Sequence, residues 1–246
     1  LKTDEILHIF KQKPDFIILP EYQGVDPLWR ETAANAELAK DFQLYCRNLA
    51  ANLNAVLIAG TTIEEHSGRY YNTCRVFNRD VDLGHYHKVN PMPNERKHGI
   101  SPGNSPCLFE IEGVRFSILI CADVLQPENF ELLKQHQSDI IFVPTTSPLK
   151  EHETVQDKFA RDNDVFVNGA AAAGSYVVKC CAVGNLWGGY LQGRSLVASP
   201  WGIMTRIPPQ DEDNERILSL VLDLAELREF RSKRGQTLSS IQKHNS

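Results

Sequence analysis

The 246-residue sequence has no apolar run approaching the roughly 18 residues of a membrane-spanning helix, so a membrane partner is not expected. It has no excess of basic residues. A formal net charge of −5 argues against a general nucleic-acid binder. It has no Cys-x-x-Cys pair, and the neighbours Cys180 and Cys181 could bridge each other only under strain. Its six cysteines therefore read as reduced thiols in a cytoplasmic protein, most of them serving as small core hydrophobes. The opening LKTDEILHIFKQKPD is too charged for a signal peptide. No repeat, low-complexity tract or Pro/Gly-rich linker interrupts the chain, which reads as a single mixed domain over residues 1–246.

What is present is an alternation of helix-like and strand-like segments. Ile6, Ile9 and Phe10 share one face of a helix predicted over 4–12. Residues 15–19 form an apolar run that stops at Pro20-Glu21, and 55–60 form another. Between them, Leu38, Phe42, Tyr45, Leu49 and Leu53 recur at steps of three and four, predicting a helix over about 28–53. Hairpins are expected at 70–78 with 81–89, and at 108–112 with 114–121. A helix starts at Pro127, a strand covers 140–143 and stops at Pro144, and a helix covers 151–162. Strand-like runs follow at 165–168, 176–183, 194–198, 203–207 and 217–223.

Three strands thus end in a reactive or polar residue: Glu21, Cys121 and the pair Thr145-Thr146. Strand ends gathered in this way commonly build the site of an αβ protein. Lys88 leads into a loop over 90–104 that is expected to be ordered by turns. A free thiol with a pKa of about 8.5 needs a base, and the oxyanion formed by its attack needs donors. Glu21, Lys88 and Cys121 supply those chemistries. Each has an ordinary reading when taken alone: a strand-end carboxylate facing water, a solvated lysine, a core cysteine. His85 and His87 alternate onto one strand face but have no third ligand at a metal-binding spacing. Asp123 reads as a cap for the turn after Cys121, while Trp187, Tyr190 and Trp201 suit a pocket border or a packed core equally.

The segments PDFIILPE, HKVNP and ILICADVLQPE, in this order, resemble the nitrilase, or carbon–nitrogen hydrolase, superfamily. The resemblance continues through Pro144, Ala160-Arg161-Asp162-Asn163 and Gly193-Arg194-Ser195-Leu196-Val197, and covers about residues 4–224. It implies an α/β fold, a four-layer α-β-β-α sandwich of two mixed sheets. It implies Glu21 as general base, Lys88 as electrophilic stabiliser and Cys121 as nucleophile. Ala122 would give a backbone oxyanion donor, Glu95 would position Lys88 and the substrate, and Thr145 and Thr146 would border the site. The reaction implied is cofactor-free and metal-free hydrolysis of a small amide-like molecule, by a homodimer or larger homo-oligomer.

The chain departs from the family pattern in several places. Family members open with a strand ahead of the first helix, and that strand is expected to be absent here. Ala122 stands where an aromatic residue is common, Leu125 and Phe159 where arginine is common, and Ser117 where glycine is common. An amide is favoured over a nitrile because Cys121 is followed by Ala-Asp rather than Trp-Glu. An N-carbamoyl or nitrile substrate, or a binding protein that has kept the fold without turnover, are the alternatives.

Overall fold

Side chains along two buried strands point alternately into different cores, and this alternation sets the layers. The computed structural model describes residues 3–28, 31–104 and 107–244, leaving aside the side chains of residue 3 and of residues 235–244. The first sheet holds β1 (Phe16–Ile18), β2 (Val56–Ile58), β3 (Thr62–His66), β4 (Arg69–Asn78) and β5 (Val81–His87). β1 and β2 run parallel, while β2, β3 and β5 all pair antiparallel with β4. From β2, Leu57 packs with Ile9 of helix α1 (Thr3–Gln12) and with Leu49 and Leu53 of α2 (Thr32–Leu53). Val56 and Ile58 point the other way, toward Phe116, Ile118 and Phe142 of a second sheet.

After β5 the chain forms the short helix α3 (Pro93–Lys97) and then strands β6 (Leu108–Ile111) and β7 (Val114–Ile118). Helix α4 (Pro127–Gln135), β8 (Ile140–Thr145), helices α5 (Val155–Asp162) and α6 (Asn168–Ala173) and β9 (Tyr176–Cys181) follow. The short hairpin of β10 (Gly184–Leu186) and β11 (Gly189–Leu191), then β12 (Leu196–Ser199), β13 (Gly202–Arg206) and α7 (Leu224–His244), complete the order. The second sheet runs β13-β12-β9-β8-β7-β6, parallel across β7, β8 and β9 and antiparallel elsewhere. Ile141 and Val143 of β8 face Phe130, Leu133, Phe166 and Ala170 on the outer, helical side. Ile140 and Phe142 face inward to the first sheet. The result is helices, sheet, sheet, helices: two mixed sheets in an α-β-β-α sandwich. Each fully buried Ile, Leu or Phe contributes about 1.5–3 kcal/mol, so the three cores hold the layers together.

The structure corrects several expectations. Residues 165–168 are not a strand. Residues 165–167 continue α5 as part of a π-helical turn, Asn163–Val167, and Asn168 opens α6, because Phe166 gains burial against the second sheet that outweighs the β-propensity of Val165 and Val167. Residues 217–223 form no ladder either. Leu222 packs into the inter-sheet core and Ser219 donates to Gln12 at 2.6 Å, but no described strand pairs with this segment. The expected strand 114–121 stops at Ile118, the loop 90–104 contains α3, and β3 and the β10–β11 hairpin were not anticipated. The described chain opens with α1. β1 is the end strand of its sheet, and β2 is its partner among the described residues.

Candidate active site

Cys121 is positioned by a sharp change of backbone direction. Leu119 and Ile120 carry the course of β7 onward, both completely buried, and Cys121 then adopts φ +46° at the start of a 3₁₀ turn, Cys121–Leu125. A left-handed conformation costs a non-glycine residue about 1–2 kcal/mol. Asp123 holds the turn against that strain. Its carboxylate accepts from Ile120 N at 2.9 Å, Asn90 N at 2.7 Å and Tyr86 Oη at 2.7 Å. Burial raises the Asp123 carboxyl above its ordinary value, though the hydrogen bonds from Tyr86, Ile120 and Asn90 oppose this. Its capping role matches the sequence reading. The Ala122 amide sits in the first turn, where helical amides have no intrahelical acceptor and can face a substrate oxygen.

Glu21 follows β1 through Leu19 and Pro20. Leu19 N still donates to Ile58 O at 3.0 Å, while Tyr22 turns away at φ +60° with its amide on Thr61 Oγ1 at 2.8 Å. This turn depends on Gly60. At φ +62°, a Cβ on Gly60 would stand 2.3 Å from Pro20 O. Gly60→Ala is therefore expected to cost at least about 1–2 kcal/mol and to reduce activity further by displacing the residue before Glu21. Chemical denaturation checks this directly, and an unchanged midpoint would show that the Pro20 backbone has slack.

Lys88 lies just beyond β5, its side chain 1% exposed. Its Nζ donates to Glu21 Oε1 and Glu95 Oε2, each at 2.8 Å. Glu95, on α3, also accepts from Met92 N at 2.6 Å and from the Tyr22 hydroxyl. Asn72 Nδ2 bridges the two carboxylates at 3.0 Å each. The second oxygen of Glu21 accepts from Thr146 N at 3.0 Å and Thr146 Oγ1 at 2.7 Å. Both Glu21 oxygens are thus oriented. Thr146 also reaches Cys121, whose Sγ lies 3.5 Å from Thr146 O and 3.9 Å from Thr146 Oγ1.

The charges are coupled. Burial depresses the Lys88 pKa, but Glu21, Cys121 and Glu95 outweigh burial and hold it above the ordinary lysine value. Burial raises the Glu95 carboxyl, yet Lys88, Tyr22 and Asn72 bring it below the ordinary range. The Cys121 thiol is pushed up to about 12, first by burial and then by Glu21, with Lys88 and the Thr146 backbone opposing. At neutral pH Cys121 therefore rests as a thiol.

The structure therefore brings Glu21, Lys88, Glu95, Cys121, Ala122 and Thr146 to one place. It does not bring the Thr145 hydroxyl there, because that group turns back onto Val143 O at 3.1 Å. Sequence reasoning missed Asn72 and Tyr22. The available signal was the polar pair Asn72-Thr73 inside the strand expected over 70–78, and the structure buries both residues completely. His85 and His87 do share a face, with ring centroids 4.5 Å apart and Tyr71 stacked on His87 at 4.3 Å. Burial, then His85, His66 and Arg75, push the His87 pKa down to about 4. Among the described residues no three His, Cys, Asp or Glu side chains are grouped to hold a metal. Trp187 borders the site through an edge contact with Tyr22 at 4.7 Å. Trp201 instead packs between Tyr176 and Phe230, at the opposite end of β9.

The carbon–nitrogen hydrolase family model matches residues 3–232. Omega-amidase NIT2 of Xenopus tropicalis is 28% identical over 228 residues, which span 87% of this chain and 74% of that protein. Omega-amidase NIT2 of Homo sapiens is 29% identical over 232 residues, with the same shares. Among solved structures, a carbon–nitrogen hydrolase from Helicobacter pylori G27 superposes with TM-score 0.81 at 19% identity, covering 94% of this chain and 85% of that one. An amidase from Nesterenkonia sp. AN1 superposes with TM-score 0.76 at 19% identity, covering 96% and 88%. No helix among the described residues is long and apolar enough to cross a membrane. With the fold, the ordered motifs and the family match in agreement, this chain belongs to the carbon–nitrogen hydrolase family of the nitrilase superfamily.

Proposed function

We propose that this protein hydrolyses a small amide to a carboxylic acid and ammonia or an amine through an acyl-enzyme on Cys121. The observation that carries this reading is the double anchoring of Glu21. Lys88 and Asn72 hold one of its oxygens, Thr146 holds the other, and Thr146 also contacts Cys121 Sγ. In the first step Glu21 takes the thiol proton as sulfur attacks the amide carbon. The oxyanion forms toward Lys88 Nζ and the Ala122 amide, a single such donor being worth about 3–4 kcal/mol. Glu21 then passes the proton to the leaving nitrogen, the C–N bond breaks and a thioester remains. Water gives a proton to Glu21 and attacks the thioester. Collapse breaks the C–S bond, and the sulfur recovers the proton.

Each group's surroundings suit its step. Lys88 keeps its charge because two carboxylates face it, so the developing oxyanion meets a fixed cation in a site shielded from water. Glu95, held ionised, orients Lys88 and leaves Glu21 as the carboxylate that accepts the proton. The omega-amidases at 28–29% identity support an amide in preference to a nitrile or N-carbamoyl compound. The chemistry needs no cofactor, the six free thiols suit the cytoplasm, and assembly as a homo-oligomer completes the reading.

Alkylation with iodoacetamide, followed by peptide mass spectrometry across pH, tests the reading without a substrate. Cys121 is expected to react well ahead of the fully buried Cys46 and Cys74, and Glu21→Gln is expected to slow it. A Cys121 that is accessible yet no more reactive than a free thiol, and indifferent to Glu21→Gln, would remove the activated nucleophile from the mechanism.

A further inference from the structure

Beneath α5, on the outer side of the second sheet, lies a group of charged side chains that the reaction does not use. Lys158, Lys179, Arg194 and Arg206 are each no more than 9% exposed. Three carboxylates, Glu153, Asp162 and Glu212, each no more than 7% exposed, face them. Burial opposes ionisation of Asp162 and Glu212, but the surrounding cations outweigh it and hold both below the ordinary carboxylate range. Among the described residues, four buried cations thus face three carboxylates, one carboxylate short of balance. Arg161, 33% exposed and paired with Glu153, adds a further cation on the solvent side.

The shortage falls on one residue. Arg206 reaches Asp162 at 2.9 Å and Glu212 at 2.8 Å, and Lys158 reaches Glu212 at 2.7 Å and Gln192 at 2.9 Å. Arg194, 1% exposed, has only longer contacts: 3.4 Å to Glu153, 3.4 Å to Lys158 O and 3.6 Å to Asp162. Its Nε lies 3.9 Å from Glu212 and has no hydrogen-bond acceptor among the described residues. Charge-assisted bonds ordinarily close to about 2.7–2.9 Å. A guanidinium cannot relieve its position by losing a proton, so an under-satisfied buried fork calls for another acceptor.

We propose that a small monovalent inorganic anion, a halide the size of chloride, binds at the Nε edge of Arg194 and completes the charge balance of this cluster. One uncompensated charge sets the valence, and the burial of every surrounding group sets the size. The site is linked to the catalytic loop. Lys158 donates to the side-chain oxygen of Gln192, and the Gln192 backbone N–H donates to Ser147 O at 2.9 Å, next to Thr146. Occupancy would therefore stiffen the segment that orients Glu21.

The test compares sodium chloride, sodium bromide and sodium gluconate at constant ionic strength, with gluconate as an anion too large to enter. Wild-type protein is expected to show a saturable rise in Tm with chloride or bromide, and Arg194→Met is expected to flatten it. Crystals of the wild type soaked in bromide are expected to show an anomalous peak within hydrogen-bonding reach of Arg194 Nε. This measurement decides the matter even if Arg194→Met fails to fold. Absence of that peak at saturating bromide, or a Tm response identical in gluconate, overturns the proposal and leaves an ordered water as the partner of Arg194.

Discussion

Replacing Cys121 with alanine is expected to lower amide turnover by about 10⁴-fold or more while leaving the protein folded. The left-handed turn at Cys121 is held by Asp123, Asn90, Tyr86 and Ile120, none of which needs the sulfur. Glu21 likewise keeps its partners Lys88, Asn72 and Thr146. Steady-state kinetics on a panel of small amides, with circular dichroism as the control for folding, makes the comparison. Adding Glu21→Gln to Cys121→Ala is expected to cost little more, because the base has nothing left to deprotonate. Substantial turnover by folded Cys121→Ala would rule out the acyl-enzyme. The variant also has a pH signature. The folded thiol is pushed up to about 12 against an ordinary 9.0, so the native state holds this proton more tightly than the unfolded chain does. That contribution to stability is complete below pH 9 and is lost as pH rises toward 12. Cys121→Ala removes its share of the alkaline decline. The raised thiols of Cys46 and Cys107, each also at about 12, keep theirs.

The second large effect is expected at Lys88. Lys88→Met should abolish turnover and cost about 3–5 kcal/mol of stability, because removing one partner of a buried ion pair leaves the other uncompensated. Here two carboxylates are left, Glu21 and Glu95, both on the same Asn72 amide and both 3% exposed or less. Their titration gives the check a sign. In the wild type the folded Glu95 pKa lies below 4.5, so its stabilising share is present above pH 4.5 and is lost as pH falls through the folded value. Without Lys88 the pair is expected to retain a proton into higher pH, and this part of the stability curve then improves as pH falls. Urea denaturation across the acid range would show the reversal. Lys88→Met with Glu95→Gln should recover part of the stability and none of the activity. If single and double variants were equally unstable, repulsion between the carboxylates could not be the cause.

Local pattern was enough for much of the chain. The helical stripe from Leu38 to Leu53 and the apolar run of residues 140–143 declared their elements. Polar residues standing at the ends of apolar runs marked Glu21, Cys121 and Thr146. Propensity misled where long-range contacts decided the outcome. Residues 165–168 have the β-branched composition of a strand, but burial of Phe166 against the second sheet keeps them helical. Residues 217–223 read as an apolar run, yet a strand needs a ladder partner and none of the described strands provides one.

By itself, the order of residues determined which groups could do chemistry: a carboxylate after one strand, a lysine after a second, a cysteine after a third. Only the tertiary structure decided how those groups are held. The Asn72 bridge spans 51 residues to Glu21, the Tyr22 bond spans 73 to Glu95, and the Thr146 bond spans 125 to Glu21. Contacts at such separations depend on strand register and on the packing of two sheets face to face, and periodicity within any one segment carries neither. The same packing turned the Thr145 hydroxyl away and brought Thr146 in. It also drew Lys158, Lys179, Arg194 and Arg206, ordinary surface residues by composition, into a cluster with one carboxylate too few.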